Sequence, residues 1–297
     1  RLAVVGAGPA GLAFAVTAAQ RGHAVTLFEA GDTIGGQFNI ARQVPGKEEF
    51  DETLRYFRRQ LELQRVDVRL STRVDAATLA TGGWDAIVLA TGVTPRTPPI
   101  EGIDHPKVLG YLDVLREHKP VGERVAVIGA GGIGFDVAAS LTQQGPSASL
   151  DPERFYAEWG IDPGYAHAGG LSPAHPEPAA RAVHLLQRKS SKVGDGLGRT
   201  TGWIHRTELK ARGVAMTPGV RYERIDDDGL HVQIDGKLQT LPADTVVVCA
   251  GQEPQRELQD ALLAAGCTVH LIGGADEAAE LDAKRAIDQG TRLAAAI

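Results

Sequence analysis

The feature that most restricts this chain is a glycine signature that occurs twice. Ala3-Val4-Val5-Gly6-Ala7-Gly8-Pro9-Ala10-Gly11 stands near the start, and Ala126-Val127-Ile128-Gly129-Ala130-Gly131-Gly132-Ile133-Gly134 repeats it 123 positions later. In each copy a short apolar run leads into Gly-x-Gly-x-x-Gly and then into a helical pattern. The helices are expected at about Ala10 to Arg21 and Ile133 to Gln144, stopped by Gly22 and Gly145. A lone Gly-x-Gly-x-x-Gly is weak evidence, but one placed between strand and helix has a mechanism. Its first glycine permits a tight turn, its second lets backbone approach a pyrophosphate, and its third lets the helix pack on the sheet. The helix N-terminus adds free N–H groups and a partial positive charge. Nucleotide contacts are therefore expected from Gly6, Gly8, Pro9, Ala10 and Gly11, and from Gly129, Gly131, Gly132, Ile133 and Gly134.

The two copies diverge at the end of the following strand. Ala24 to Glu29 reads as the strand in the first copy, and Glu29 is placed to accept hydrogen bonds from ribose hydroxyls. In the second copy Ala182 to Gln187 is the counterpart, and Gln187-Arg188-Lys189 replaces the acid. A carboxylate repels a 2′-phosphate, whereas Arg188 and Lys189 attract it, so NADPH is expected there in preference to NADH. Lys192 and Arg199 extend the same basic surface; the plainer reading of all four cations is a solvated loop. Glu29 and Gln187 lie 158 apart rather than 123, so the second copy carries about 35 extra residues, at about 145–181. Their Pro, Gly, Ser and Ala content predicts an irregular excursion.

Strands alternating with helices imply an α/β architecture with largely parallel sheets. Phe50, Leu54, Phe57 and Leu61 mark one helix face, and His231 to Leu241 alternates about Asp235-Gly236 as a hairpin. The strand ending at Ala90-Thr91-Gly92 resembles the one ending at Cys249-Ala250-Gly251, and a last strand, Val269 to Gly273, precedes a helix expected from about Asp276.

Composition narrows the classes further. A net charge of −6 argues against general nucleic-acid binding. Two cysteines without a Cys-x-x-Cys pair exclude a disulfide framework, a four-cysteine zinc site or an iron–sulfur cluster, and make a reducing, cytoplasmic setting the default. No apolar run reaches the roughly 18 residues of a membrane span, and the nine histidines show no metal-ligand spacing. The first residue directly precedes a buried strand and is not Met, which reads as a chain lacking an N-terminal part.

Two nicotinamide sites would be chemically idle, whereas a flavin and a nicotinamide form a hydride-transfer pair. The first site is therefore expected to take FAD. Gly35, Gly36 and Gln37 are placed to run along its pyrophosphate, Ala90, Thr91 and Gly92 end a strand beside it, and Gly274 and Ala275 precede the last helix, whose N-terminus would face the flavin. Each has a bland counterpart as an ordinary turn. The fold class that results is α/β, with two Rossmann-like dinucleotide-binding domains. No acid–base or metal residue is required, because positioning and exclusion of water are the main demands of hydride transfer.

These features together resemble the flavoproteins with two dinucleotide-binding domains, and that resemblance implies an FAD domain split by the inserted NADP domain: a discontinuous first domain, 1–115 and 251–297, around a second, 116–250. Gly35 to Lys47, Gly196 to Arg206, Ile272-Gly273-Gly274-Ala275 and Glu280-Leu281-Asp282-Ala283 look like the C-terminal half of bacterial NADPH-dependent 2,4-dienoyl-CoA reductase. That resemblance implies an N-terminal barrel carrying FMN, an iron–sulfur cluster and the dienoyl-CoA site, with electrons passing from NADPH through FAD and the cluster to FMN. None of the barrel is in this sequence, so the expected role is electron input to it, in unsaturated fatty acid degradation. A disulfide reductase shares the architecture but needs a redox cysteine pair, which is lacking. A flavin monooxygenase lacks support from additional motifs. A stand-alone NAD(P)H–flavin reductase with another acceptor is an alternative. So is a non-catalytic nucleotide scaffold, as in relatives such as trimethylamine dehydrogenase; Arg188 and Lys189 weigh against it.

Overall fold

A computed structural model of the chain describes residues 1–279 and 282–297. These divide into two compact units, 1–42 with 49–96 and 252–297, and 43–48 with 97–251. The Glu280-Leu281 part of the family-like stretch lies outside the described residues.

The first unit is built on a five-stranded sheet in the order Val269–Leu271, Ala86–Leu89, Leu2–Val5, Val25–Phe28, Asp67–Arg69, with every pairing parallel. The strand Leu2–Val5 is central because it is apolar on both faces; all four of its residues are buried. Chain order runs outward from it in both directions, which puts a topological switch point at its carboxyl end, directly before Gly6. The helix Pro9–Gln20 packs against this sheet through Leu12, Phe14 and Val16. Leu54, Phe57 and Leu61 of the helix Phe50–Leu63 are buried, as their spacing predicts.

The second unit repeats the plan. Its sheet runs Val108–Gly110, Thr245–Val248, Arg124–Ile128, Ala182–Leu186, Ala215–Thr217, again all parallel. Val108–Gly110 hydrogen-bonds to Thr245–Val248, so the chain enters this unit at 97 rather than at the expected 116. An antiparallel sheet of Arg221–Asp226, Gly229–Ile234 and Lys237–Leu241 packs beside it. Asp235 and Gly236 form its hairpin turn with φ of 51° and 75°, the left-handed pair that such a turn demands.

Two further expectations need correction. The 145–181 segment is not wholly irregular: it contains the eight-residue helix Pro152–Trp159. Asp151 caps it by accepting the Glu153 and Arg154 amides, Pro152 occupies the first turn, and Gly160 ends it at φ 66°. The last helix begins at Ala283 rather than near Asp276, because Asp282 provides its cap by accepting the Arg285 amide. Gly274 and Ala275 therefore sit in a single tight turn, Gly273–Ala275, and not at the N-terminus of a long helix.

Candidate nucleotide-binding sites

In the first unit the expected residues converge at the carboxyl end of Leu2–Val5. Gly6 has φ 104°, and a Cβ there would lie 2.4 Å from the Ala90 carbonyl oxygen. A Cβ on Gly11 would lie 2.0 Å from the Gly6 carbonyl oxygen. Both positions are closed to any side chain by the fold itself. Gly8 is different. Its backbone is extended (φ −78°, ψ −177°), and the nearest atom to a Cβ there is the Gly36 Cα at 4.0 Å. Neither conformation nor packing demands glycine at 8; what glycine does there is keep the outer surface of the loop bare. Gly36 closes the opposite side at φ 51°, where a Cβ would reach within 2.9 Å of the Gly8 Cα.

The remaining residues of this set tie onto the same loop. Gly35 donates its amide to the Ala7 carbonyl at 2.8 Å. Glu29 Oε2 accepts the Ala7 amide at 2.8 Å and Oε1 accepts the Gly31 amide at 2.8 Å. A carboxylate oxygen has a second acceptor site, so ribose hydroxyls remain within its hydrogen-bonding capacity. Thr91 donates its hydroxyl to the Gln255 carbonyl, and Gln255 donates its amide to the Gly92 carbonyl. Arg256 holds the Ala275 carbonyl, which fixes the turn bearing Gly274 and Ala275. A Cβ on Gly273 would lie 2.8 Å from the Ala10 side chain, so that turn abuts the first turn of the helix Pro9–Gln20. Gln37 precedes the short helix Phe38–Ala41 and is half-buried. The first turn of Pro9–Gln20 contains no acid, and its N-cap Gly8 has no capping side chain. The Ala10 and Gly11 amides precede the first intrahelical hydrogen bond and so have no partner within the helix.

The second unit builds the same loop with the same constraints. Gly129 also has φ 104°, and a Cβ there would lie 2.3 Å from the Cys249 carbonyl oxygen. A Cβ on Gly134 would lie 1.9 Å from the Gly129 carbonyl oxygen. Gly131 and Gly132 have nothing within 4 Å of a Cβ. The helix Gly132–Thr142, in whose first turn Ile133 lies, starts without a side-chain cap or a first-turn acid. A dinucleotide pyrophosphate therefore fits both loops. The required bare surface is present at Gly8 and Gly131, next to unclaimed helix amides.

Gln187 turns its side-chain amide to its own loop. Its Nε2 donates to the Lys189 and Ser191 carbonyls at 3.1 and 2.8 Å, and its Oε1 accepts the Gly194 amide at 3.3 Å. It shapes the loop that carries the cations. Arg188 and Lys189 are exposed and form no ion pair among the described residues. One neighbour carried no local sequence signal. Tyr222, from the antiparallel sheet, donates its hydroxyl to the Leu186 carbonyl at 3.2 Å, the same oxygen that accepts the Gly129 amide. Burial pushes its phenol well above the ordinary range, so it remains a neutral donor. A register irregularity between Tyr222 and Arg224 accompanies this placement. Cys249 is buried, its thiol pushed up by desolvation, and Cys267 is also free.

Residues 1–277 match the family described as pyridine nucleotide-disulphide oxidoreductase. The chain belongs to that family. Like its members it is mixed α/β with parallel sheets and Rossmann-like dinucleotide-binding folds, and a flavin-dependent oxidoreductase module follows from membership. It is 30% identical to a metal reductase of Desulforamulus reducens over 93% of this chain and 41% of the relative. It is 32% identical to an NADH oxidase of Thermoanaerobacter brockii over 93% of this chain and 38% of the relative. Among solved structures, a 2-naphthoyl-CoA reductase complex superposes with a TM-score of 0.82 at 26% identity, over all of this chain and 40% of that one. The chain thus spans about 40% of the length of the relatives it matches. No helix of the described residues is long and apolar enough to cross a membrane.

Proposed function

We propose that this family member is the electron-input module of a larger flavin oxidoreductase, with FAD on the Gly6–Gly11 loop and NADPH on the Gly129–Gly134 loop. The observation that carries the reading is the bare glycine at the second position of each loop. Gly8 and Gly131 have backbone angles that any residue adopts and no protein atom closer than 4.0 Å to where a Cβ would stand, which supports a ligand that approaches the backbone at both. When bound, FAD supplies a two-electron acceptor for a hydride from NADPH, and the protein contributes binding and orientation.

Within that reading each residue has a task. Gly8, Pro9, Ala10 and Gly11 present helix amides to a pyrophosphate, with Gly35, Gly36 and Gln37 along its other side. Glu29 takes ribose hydroxyls. Ala90, Thr91 and Gly92 border the same site, as do Gly274 and Ala275. In the second unit Gly131, Gly132, Ile133 and Gly134 form the corresponding seat between Gly129 and the helix. The choice of NADPH over NADH rests on Arg188 and Lys189, which are exposed, unpaired with any acid among the described residues, and carried by a loop that Gln187 holds in shape.

The onward acceptor is proposed from two supports. The longer relatives leave room for further domains, and the Gly35 to Lys47 and Gly196 to Arg206 stretches resemble 2,4-dienoyl-CoA reductase. The acceptor would then be an FMN- and iron–sulfur-bearing barrel, and the terminal substrate a dienoyl-CoA, in a cytoplasmic enzyme. The test is an absorption spectrum and cofactor mass analysis of the purified chain after FAD loading, followed by NADPH and NADH oxidation with an artificial acceptor. Stoichiometric FAD and faster turnover with NADPH are expected. A colourless protein that oxidises neither would refute the reading.

A further inference from the structure

The segment 188–210 contains six cations, Arg188, Lys189, Lys192, Arg199, Arg206 and Lys210, in a chain of net charge −6. Among the described residues none of the six enters an ion pair, although twenty such contacts occur elsewhere in the chain. Three of them do not belong to the nucleotide loop alone. Lys192, Arg206 and Lys210 line a groove of about 580 Å³ between the helix Gly202–Ala211 and the sheet-edge strand Ala215–Thr217. Among the described residues no acidic side chain lines it, and neither does any residue of Gly129–Gly134.

The groove has an apolar floor, with Val193 and Val214 buried beneath Met216. Trp203 stands on its wall, 55% exposed. An exposed indole usually moves freely, but this one is pinned: Nε1 donates to the Thr200 carbonyl at 2.9 Å. Arg206 is pinned likewise, donating to the Gly194 carbonyl at 2.9 Å with donors to spare. Trp203 and Lys210 are seven residues apart on one helix, about 10 Å along its axis. The wall therefore presents a fixed aromatic face at one end and cations in the middle and at the other end.

We propose that this groove is a second anionic-ligand site, separate from the glycine loops. Its ligand is a planar aromatic ring carrying a polyphosphate tail, the chemistry of a nucleoside diphosphate. The ring stacks on Trp203, and the phosphates lie along Arg206 toward Lys210. Indole faces stack on bases irrespective of base identity, and an acid-free row of cations fits successive phosphates. An acidic peptide would satisfy the cations, but it would leave the pinned indole without a planar partner.

Trp203 reports directly on occupancy, because Trp84 and Trp159 are only half-exposed and lie outside this groove. The experiment titrates the full chain with ADP and follows indole emission, with saturating NADP⁺ present and absent. Parallel titrations use adenosine, pyrophosphate and a glutamate-rich peptide. The expected result is saturable quenching by ADP with a dissociation constant below about 1 mM. That quenching persists in NADP⁺ and is absent in Trp203→Phe. Lys210→Glu weakens it about tenfold, the scale of one charged hydrogen bond, and adenosine or pyrophosphate alone binds more weakly. The proposal is overturned if ADP does not saturate, if Lys210→Glu binds ADP as tightly as the parent, if NADP⁺ abolishes the signal, or if the peptide binds more tightly than ADP. It stands apart from the NADPH assignment: if NADP⁺ fails to bind at all, the Lys210 dependence still decides it.

Discussion

The Glu29 carboxylate accepts the Ala7 amide at 2.8 Å, tying the strand that bears the acid to the loop that bears the glycines. It also accepts the Gly31 amide, so one side chain satisfies two backbone donors. Glu29→Ala would leave both without that partner, at a cost of about 1–3 kcal/mol. FAD affinity is expected to fall about tenfold or more, since ribose contacts and loop shape are lost together. Flavin content after dialysis, read from absorbance, and the melting temperature of the cofactor-free protein separate the two contributions.

The two glycines of the second loop should respond in opposite ways. Gly134→Ala places a Cβ 1.9 Å from the Gly129 carbonyl oxygen, which cannot be relieved without moving helix or strand. We expect destabilisation by about 3 kcal/mol or more, visible in chemical denaturation. Gly131→Ala meets no protein atom and should melt normally. Its methyl instead occupies the surface a pyrophosphate needs, so nicotinamide nucleotide binding should drop by at least about tenfold. Equal binding by parent and Gly131→Ala would remove the basis for the second site.

Arg188→Glu combined with Lys189→Glu tests cofactor choice. Both side chains are exposed and unpaired with acids among the described residues, so folding should be unaffected. KM for NADPH is expected to rise by about two orders of magnitude, as two charge-assisted contacts become repulsive, while KM for NADH changes little. A parallel rise for both nucleotides would show that these cations do not read the 2′-phosphate.

Arg212 is 7% exposed and faces two acids: Glu208 Oε1 at 3.1 Å and Glu158 Oε2 at 3.9 Å. Glu158 comes from the helix Pro152–Trp159, so this cluster pins the 145–181 segment to the body of its unit. Burial already raises the Glu208 carboxyl against the pull of Arg212. Arg212→Ala removes the cation that pairs with Glu208 and leaves Glu158 with Arg154 alone, 3.4 Å away, and a loss of about 3–5 kcal/mol is expected in denaturant titrations. With the cation gone, part of that loss should be recovered on lowering the pH from 7 to 5, because protonating Glu208, whose carboxyl burial already raises, removes its buried charge.

Much of this was legible in the residues. The repeat at Gly6 and Gly129 announced two strand–turn–helix units, because first and third glycines are required by close backbone approach that nothing larger survives. The central strands were readable because their residues are apolar in unbroken runs, and the Asp235-Gly236 hairpin because its turn needs two left-handed residues. The helix Pro152–Trp159 left a signal, Asp151-Pro152 at one end and Gly160 at the other, but its amphipathic face is short and sits among turn-forming residues. What no local pattern contained was the pairing of distant pieces. Tyr222 reaching Leu186, Gln255 clasping Thr91 and Gly92, Val108–Gly110 joining the second sheet, and the groove between Trp203 and Met216 all join residues far apart or without a repeating period. Local backbone preference and hydrophobic periodicity act over a few residues and can be read along the chain. Which carbonyl a buried hydroxyl finds, and which cations gather without acids, depend on how the whole chain closes in three dimensions.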